Sequence, residues 1–317
     1  MSARAASVLC VGVAVYDQIF ALPEFPATPT KVFCTAFASA AGGPAANAAV
    51  TVARQGGRAT LWARVGADAQ GARIVQELGE AGVDVSAVRR VEGGRSGTSA
   101  VAINDAGERL ILAFADPLLD RDASWLPLAQ VATHDAVLCD VRWPAATRAV
   151  LAAARNAGVP SVLDADLTSD GTLAEFVPLA QQVVFSMPAL EKLRPGAGKD
   201  LHRALAELWR PDIHTLLAVT LGEQGCVWYD GHVSRALPGI DVHVVDTLAA
   251  GDTFHGAFAL ATARRQHPTE ALDFANRVAA LKCTRWGGGT GIPTVDELDR
   301  FQPRYRTAVD LSCDAPV

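Results

Sequence analysis

Residues Ala59 to Gly82 read ATLWARVGADAQGARIVQELGEAG, a short unit of three parts. Ala59 to Val65 is a mostly apolar run, Gly66 to Gly71 is a glycine-bearing link, and Ile74, Leu78 and Ala81 then recur at helical spacing before Gly82. Apolar residues three and four apart share one helix face, and an apolar run without alternation suits a strand covered on both faces. The same order recurs. Val8 to Val15, Ala136 to Val141, Ser161 to Leu163, Gln182 to Phe185 and Leu216 to Thr220 are further apolar runs, and Leu201, Leu205 and Leu208 mark another helical face. Strands alternating with helices predict a doubly wound α/β fold, a mostly parallel sheet with helices on both faces.

Two regions break that rhythm. Thr98 to Ile103 and Arg109 to Phe114 flank Asn104-Asp105-Ala106-Gly107-Glu108 and read as a hairpin. Tyr16 to Phe20 and Val32 to Phe37 read as a second pair, joined through Pro23, Pro26 and Pro29. These strands, within about residues 15–38 and 97–115, predict a small antiparallel lid that covers a site or pairs with a second subunit. The remainder reads as one domain over residues 1–310, with a disordered tail over 311–317.

Composition narrows the function. The chain has 317 residues, half of them hydrophobic and a fifth charged, with net charge −6. Mean hydropathy is +0.19, without an apolar run near the roughly 20 residues a membrane span needs. Neither a membrane protein nor a nucleic-acid binder is expected, since no general basic field would hold a phosphate backbone. Six cysteines without a CxxC pair, and histidines without metal spacing, predict a reducing, cytoplasmic setting and no structural metal. The Ala/Val-rich start is short and is interrupted by Asp17, so it reads as a first buried strand rather than a leader.

The chemistry concentrates in two turns. Val244-Val245-Asp246-Thr247-Leu248-Ala249-Ala250-Gly251-Asp252 runs into a helix from Thr253 onward, with Asp252 at or near its N-cap. The amides of Ala250, Gly251 and Asp252 would face outward there, an anion-binding arrangement. Beside that hole, Asp252 is either a simple cap or the base that takes a hydroxyl proton during phosphoryl transfer. In the second turn, Gly42 and Gly43 precede a helix whose first residue is Pro44 and beyond whose end lies Gly56. Side chains tilt toward a helix N-terminus, so Asn47 either points to the mouth of that turn or caps its own helix.

Together with Gly66-x-Asp68-x-x-Gly71 and Thr220-x-Gly222-x-x-Gly225, these turns resemble the motifs of the PfkB, or ribokinase-like, carbohydrate kinases in order and spacing from about residue 8 to 300. No Walker or GxGxxG motif competes. The resemblance implies a ribokinase-like fold, ATP with Mg2+, a small-molecule sugar substrate and a homodimer through the β lid. Asp252 corresponds to the family's catalytic base, and Ala249, Ala250 and Gly251 to its anion hole. Asp17, Gly42, Gly43 and Asn47 match sugar-binding positions. Thr220, Gly222, Gly225, Asn276 and the Gly287-Gly288-Gly289 turn match the nucleotide side. Asp246 and Thr247 correspond to a region where many members hold a monovalent cation such as K+.

Three departures stand out. Ala249 replaces the usual glycine, which at positive φ costs about 1 kcal/mol or more. The Asn-x-x-Glu element that organises magnesium aligns with Ser186-Met187-Pro188-Ala189, so both polar ends are missing. Within the family, strings such as Asp140-Val141-Arg142-Trp143 and Leu281-Lys282-Cys283-Thr284-Arg285 are most similar to the sulfofructose kinase branch, yet Ala113 stands where that branch has Asn. Arg142 and Lys31 are the cations that would meet a sulfonate or phosphate on the sugar. The resemblance therefore implies transfer of the ATP γ-phosphate to a ketose-type sugar, 6-deoxy-6-sulfofructose at its 1-hydroxyl being the particular candidate. A nucleoside kinase, its base held by Tyr16, Phe20, Phe33, Phe37 and Phe114, and a non-catalytic regulator remain as alternatives. Retention of Asp252 weighs against the regulator.

Overall fold

A computed structural model describes residues 4–119, 122–168 and 171–309. The tail expected over 311–317 lies outside them. The strands are β1 (Ser7–Val11), β2 (Val15–Ala21), β3 (Ala36–Gly42), β4 (Arg58–Gly66), β5 (Val83–Asp84), β6 (Val88–Val91), β7 (Gly97–Ile103), β8 (Arg109–Phe114), β9 (Ala136–Cys139), β10 (Ser161–Ala165), β11 (Gln182–Ser186), β12 (Leu216–Thr220), β13 (Gly225–Tyr229) and β14 (Ser234–Pro238). The helices are α1 (Pro44–Arg54), α2 (Ala69–Glu80), α3 (Pro144–Ala157), α4 (Leu173–Phe176), α5 (Met187–Leu193), α6 (Leu201–Leu208), α7 (Ala250–Ala263), α8 (Pro268–Cys283) and α9 (Val295–Asp299).

The main sheet runs β14-β13-β12-β11-β10-β9-β1-β4-β5, with β6 also paired to β4. It is parallel from β12 to β5, and β13 and β14 close one edge antiparallel. Side chains alternate across each strand, and both faces are covered. Val8 and Cys10 of β1 enter a core shared with α1, α2, α7 and α8, whereas Leu9 and Val11 enter a second core with α3, α5 and α6. That double burial is why β1 reads as an unbroken apolar run. β4 lies on one side of β1 and β9 on the other, so the chain reverses its winding direction at β1. In open α/β sheets such a switch point leaves a crevice at the carboxyl ends of the strands.

The lid sheet runs β3-β2-β7-β8. Its two antiparallel hairpins meet along a parallel seam between β2 and β7. Two expected boundaries move. The run Val8 to Val15 is not one strand: β1 stops at Val11 because the Val13 amide donates to the buried carboxylate of Asp140 at 2.9 Å, turning the chain toward the lid. The partner of β2 is Ala36–Gly42 rather than Val32 to Phe37, with Asp17 opposite Ala40 and Val15 opposite Gly42. Those alanines have weak strand preference and are held by register with β2. The shift carries the strand directly into Gly43 and α1.

Candidate active site

Helices α1 and α7 cross closely because their facing residues are small. A Cβ on Gly256 would lie 2.5 Å from the Ala48 carbonyl. That approach brings the fourth residue of α1 to the third of α7, and Asn47 Nδ2 donates to Asp252 Oδ2 at 2.7 Å. Asp252 is therefore not the cap of its helix. The cap position belongs to Ala249, in the left-handed region at φ 62, with no side-chain cap bond. The positive φ foreseen for a family glycine is thus adopted by an alanine. Of the three outward amides, that of Ala250 closes the turn on the Thr247 carbonyl at 3.2 Å. Gly251 is exposed, and a Cβ there would meet nothing within 4 Å. An anion can approach it.

The electrostatics behind Asp252 come from the strand ends. His255, one turn on, has Nδ1 2.7 Å from the Gly251 carbonyl and Nε2 3.1 Å from the Val184 carbonyl and 3.4 Å from Asp164 Oδ1. Burial disfavours a charged ring, but Asp164 and the two carbonyls outweigh it and raise the His255 pKa. Burial also raises Asp164, to about 7, against the opposing pull of His255. Desolvation raises Asp252 as well, with the Asn47 hydrogen bond and His255 opposing it. A carboxylate held above the ordinary range is a better proton acceptor.

Across from Asp252, Asp17 of β2 accepts a short hydrogen bond from Ser99 of β7. Burial, with the Asp252 charge adding to it, raises Asp17 to about 6 despite that bond. A Cβ on Gly42 would sit 2.0 Å from Asp17 Oδ2, so only glycine leaves room for the carboxylate. Asn47 Oδ1 is buried without a hydrogen-bond partner among the described residues, an acceptor suited to a hydroxyl proton. Asp17, Gly42, Gly43, Asn47 and Asp252 therefore lie together where the small sheet meets α1 and α7.

The nucleotide-side residues fall into two places. Thr220 ends β12 opposite Ser186, its hydroxyl donating to the Phe185 carbonyl at 3.3 Å. Gly222 and Gly225 follow, and Asn276 Nδ2 donates at 2.8 Å to the carbonyl of Pro238, the register partner of Gly225. Gly288 is elsewhere. Its amide and that of Gly287 donate to Asp246 Oδ2 at 2.9 and 3.0 Å, and a Cβ on Gly289 would strike Asn47 Oδ1. The glycine turn thus lies against the sugar side and the Asp246–Ala249 turn. Arg142 follows β9 and pairs with Asp166 at 2.7 Å, both partly exposed. Lys31 lies in the exposed link between β2 and β3.

Neither metal position has a preformed cage, and among the described residues no cluster of three His, Cys, Asp or Glu side chains is placed to hold an ion. Ser186 caps α5 and donates to Asp166 Oδ1 at 3.0 Å, and Arg142 pairs with Asp166 Oδ2, so this partly exposed carboxylate already has a partner on each oxygen. That suits a magnesium ion carried mainly by phosphates. At Asp246, by contrast, the carboxylate already accepts Leu248 N at 2.6 Å, the two glycine amides and the ammonium of Lys282 at 3.2 Å. A potassium ion does not fit there.

Several residues of the site carried no sequence signal of their own role. Ser99, Arg109, the Asp164/Asp166 pair, His255 and Lys282 lie far apart in the chain, and spacing along one element could not join them.

A carboxylate at the amino end of a helix, an open backbone amide beside it and polar side chains gathered against the small sheet suit group transfer to a hydroxyl. Residues 5–295 match the profile of the pfkB family carbohydrate kinases. Over 287 residues the chain is 30% identical to Fructokinase-1 of Zea mays, covering 83% of this chain and 88% of the maize protein. It is 27% identical over 300 residues to the ribokinase of Bacillus subtilis, covering 93% and 99%. A solved structure from Agrobacterium tumefaciens, provisionally named a ribokinase, matches with TM-score 0.88 and 40% identity over 93% of this chain and 96% of that one. This chain belongs to the pfkB family of carbohydrate kinases. Its fold is ribokinase-like, and it is a phosphotransferase whose acceptor is an alcohol group.

Proposed function

We propose that the chain transfers the γ-phosphate of ATP to a hydroxyl of a ketose-type sugar, with Asp252 as general base. The observation that carries this reading is the 2.7 Å bond from Asn47 to Asp252, which joins the sugar-side turn to the amide turn of α7. Asp17, Asn47 and the Gly42-Gly43 backbone hold the sugar hydroxyls. The nucleotide lies along Thr220, Gly222 and Gly225, with Asn276 supporting that loop through Pro238. Its phosphates point along the ends of β11 and β10 toward α7. Asp252 accepts the proton of the attacking hydroxyl while the Gly251 and Asp252 amides receive the charge of the migrating phosphoryl group. Asp166 is the carboxylate that would hold a magnesium ion, which when bound with ATP would supply neutralisation of phosphate charge.

The particular substrate we propose is 6-deoxy-6-sulfofructose, phosphorylated at its 1-hydroxyl. Arg142 supports this: a partly exposed ion pair is worth about 1 kcal/mol or less, so a sulfonate can compete for the guanidinium that Asp166 now engages. Turnover with ATP across fructose, 6-sulfofructose, fructose phosphates, ribose and adenosine tests it. Arg142→Ala is expected to lower kcat/KM more for an anionic sugar than for fructose. Equal losses, or turnover of adenosine alone, would remove the proposal. We further propose that the cytoplasmic enzyme is a homodimer through the lid, whose outer face carries Phe37, Leu110 and Leu112 exposed.

A further inference from the structure

Lys282, one residue from the end of α8, has no solvent exposure, and neither does Asp246. Its Nζ donates to the Asp246 carbonyl at 2.9 Å and lies 3.2 Å from Asp246 Oδ2. The amides of Val245 and Asp246 donate to the Cys283 carbonyl at 2.8 and 3.2 Å, clamping the negative end of α8 onto this turn. The same carboxylate binds the amides of Leu248, Gly287 and Gly288. Ammonium, carboxylate and three amides thus form one unit that includes the Leu248 amide, next in the chain to Ala249, whose left-handed backbone opens α7. From the lid side, Arg109 donates to Thr247 Oγ1 at 2.8 Å and to the Thr247 carbonyl at 3.3 Å. Both carbonyls of the Asp246–Thr247 turn already accept from a basic side chain, Lys282 on one and Arg109 on the other.

A buried lone ammonium is strongly unfavourable, and removal of either partner of a buried pair leaves an uncompensated charge. The arrangement persists because the ammonium serves the carboxylate that pins the turn. The Lys282 ammonium meets both the carbonyl and the carboxylate of Asp246, so its charge is matched within hydrogen-bond reach. A lysine ammonium is a compact point charge, and its donors meet carbonyl and carboxylate oxygens as a monovalent ion would.

We propose that Lys282 is a tethered cation which replaces a soluble monovalent ion behind the anion turn, so that this kinase needs no potassium and Lys282 positions the Gly251 and Asp252 amides. The inference deepens the phosphotransfer reading, but two of its measurements do not depend on turnover. For the wild-type protein, melting temperature and kcat are expected to be the same in tetramethylammonium chloride and in potassium chloride at equal ionic strength, and crystals soaked in rubidium should show no anomalous peak at Asp246–Thr247. A rubidium peak there, or potassium raising the melting temperature or activating about tenfold, would overturn it.

In Lys282→Ala the vacated space should admit an ion. Its melting temperature is expected to rise with potassium or ammonium but not with tetramethylammonium, and kcat, reduced about tenfold or more, should recover with the same ions while KM for ATP changes little. Equal responses to all three salts would assign Lys282 a packing role only and sink the proposal. Should the alanine variant not fold, Lys282→Met, which keeps the apolar stem, carries the same comparison, and the wild-type measurements decide on their own. A wild-type protein inert toward every sugar in every salt would count against the phosphotransfer reading, while melting and rubidium data would still judge the cation.

Discussion

Asp252 is singled out as the proposed base by its position more than by its residue type. It sits in the first turn of α7, hydrogen-bonded by Asn47, faced by Asp17 and backed by the Asp164–His255 pair. Asp252→Asn keeps the shape and the Asn47 neighbour but cannot take a proton, so kcat is expected to fall by about 10² or more with ATP affinity nearly unchanged. A variant within about threefold of wild type would remove Asp252 as base. The pH dependence has a definite sign. Desolvation raises the Asp252 pKa, and the proposed base acts in its deprotonated form, so kcat/KM should fall toward acid with its limb above the ordinary carboxylate range. A limb at the ordinary carboxylate value would contradict the environment described.

Turns between elements set where the ligands can lie, and the β12–β13 turn shows it through two glycines. Both have positive φ, 58 at Gly222 and 92 at Gly225. A Cβ on Gly222 meets nothing within 4 Å, whereas one on Gly225 would lie 2.2 Å from the Leu237 carbonyl and 2.6 Å from the Gly239 amide. Gly222→Ala is therefore expected to carry only the left-handed backbone cost of about 1–2 kcal/mol, visible as a modest loss of melting temperature. Gly225→Ala must also displace the β13–β14 hairpin that Asn276 grips, so it should lose more stability and raise KM for ATP. Indistinguishable melting curves and ATP constants for the two variants would refute that account of the loop.

At the scale of the molecule, the lid is the element least explained by the chain alone. All six residues of β8 are exposed, while β7 beside it alternates between buried and half-buried. Phe37 and Leu112 are 60% and 66% exposed on its outer face. An apolar sheet face with two open edges is a site for a second sheet. If the lid is the proposed dimer contact, Leu112→Lys should convert a dimer to a monomer in sedimentation velocity without unfolding the kinase body. A wild-type monomer, or a variant that remains dimeric, would exclude the contact.

Periodicity made the α/β layering legible, because strands covered on both faces must be apolar throughout and helices between them must be apolar on one side. The motif turns were legible because Gly42, Gly43, Gly222, Gly225 and Asp252 each answer a local demand for close approach or charge. Boundaries were less so: Ala38 to Ala41 carries no strand signal and is placed by register with β2, and β1 stops where Asp140, more than a hundred residues away in sequence, takes the Val13 amide. The sequence determined which local conformations and chemical groups were available. Only the tertiary structure decided that Lys282 faces Asp246, that Arg109 reaches Thr247 and that His255 meets Asp164, because a contact between distant residues depends on how helices cross and strands order, and short-range spacing holds no record of either.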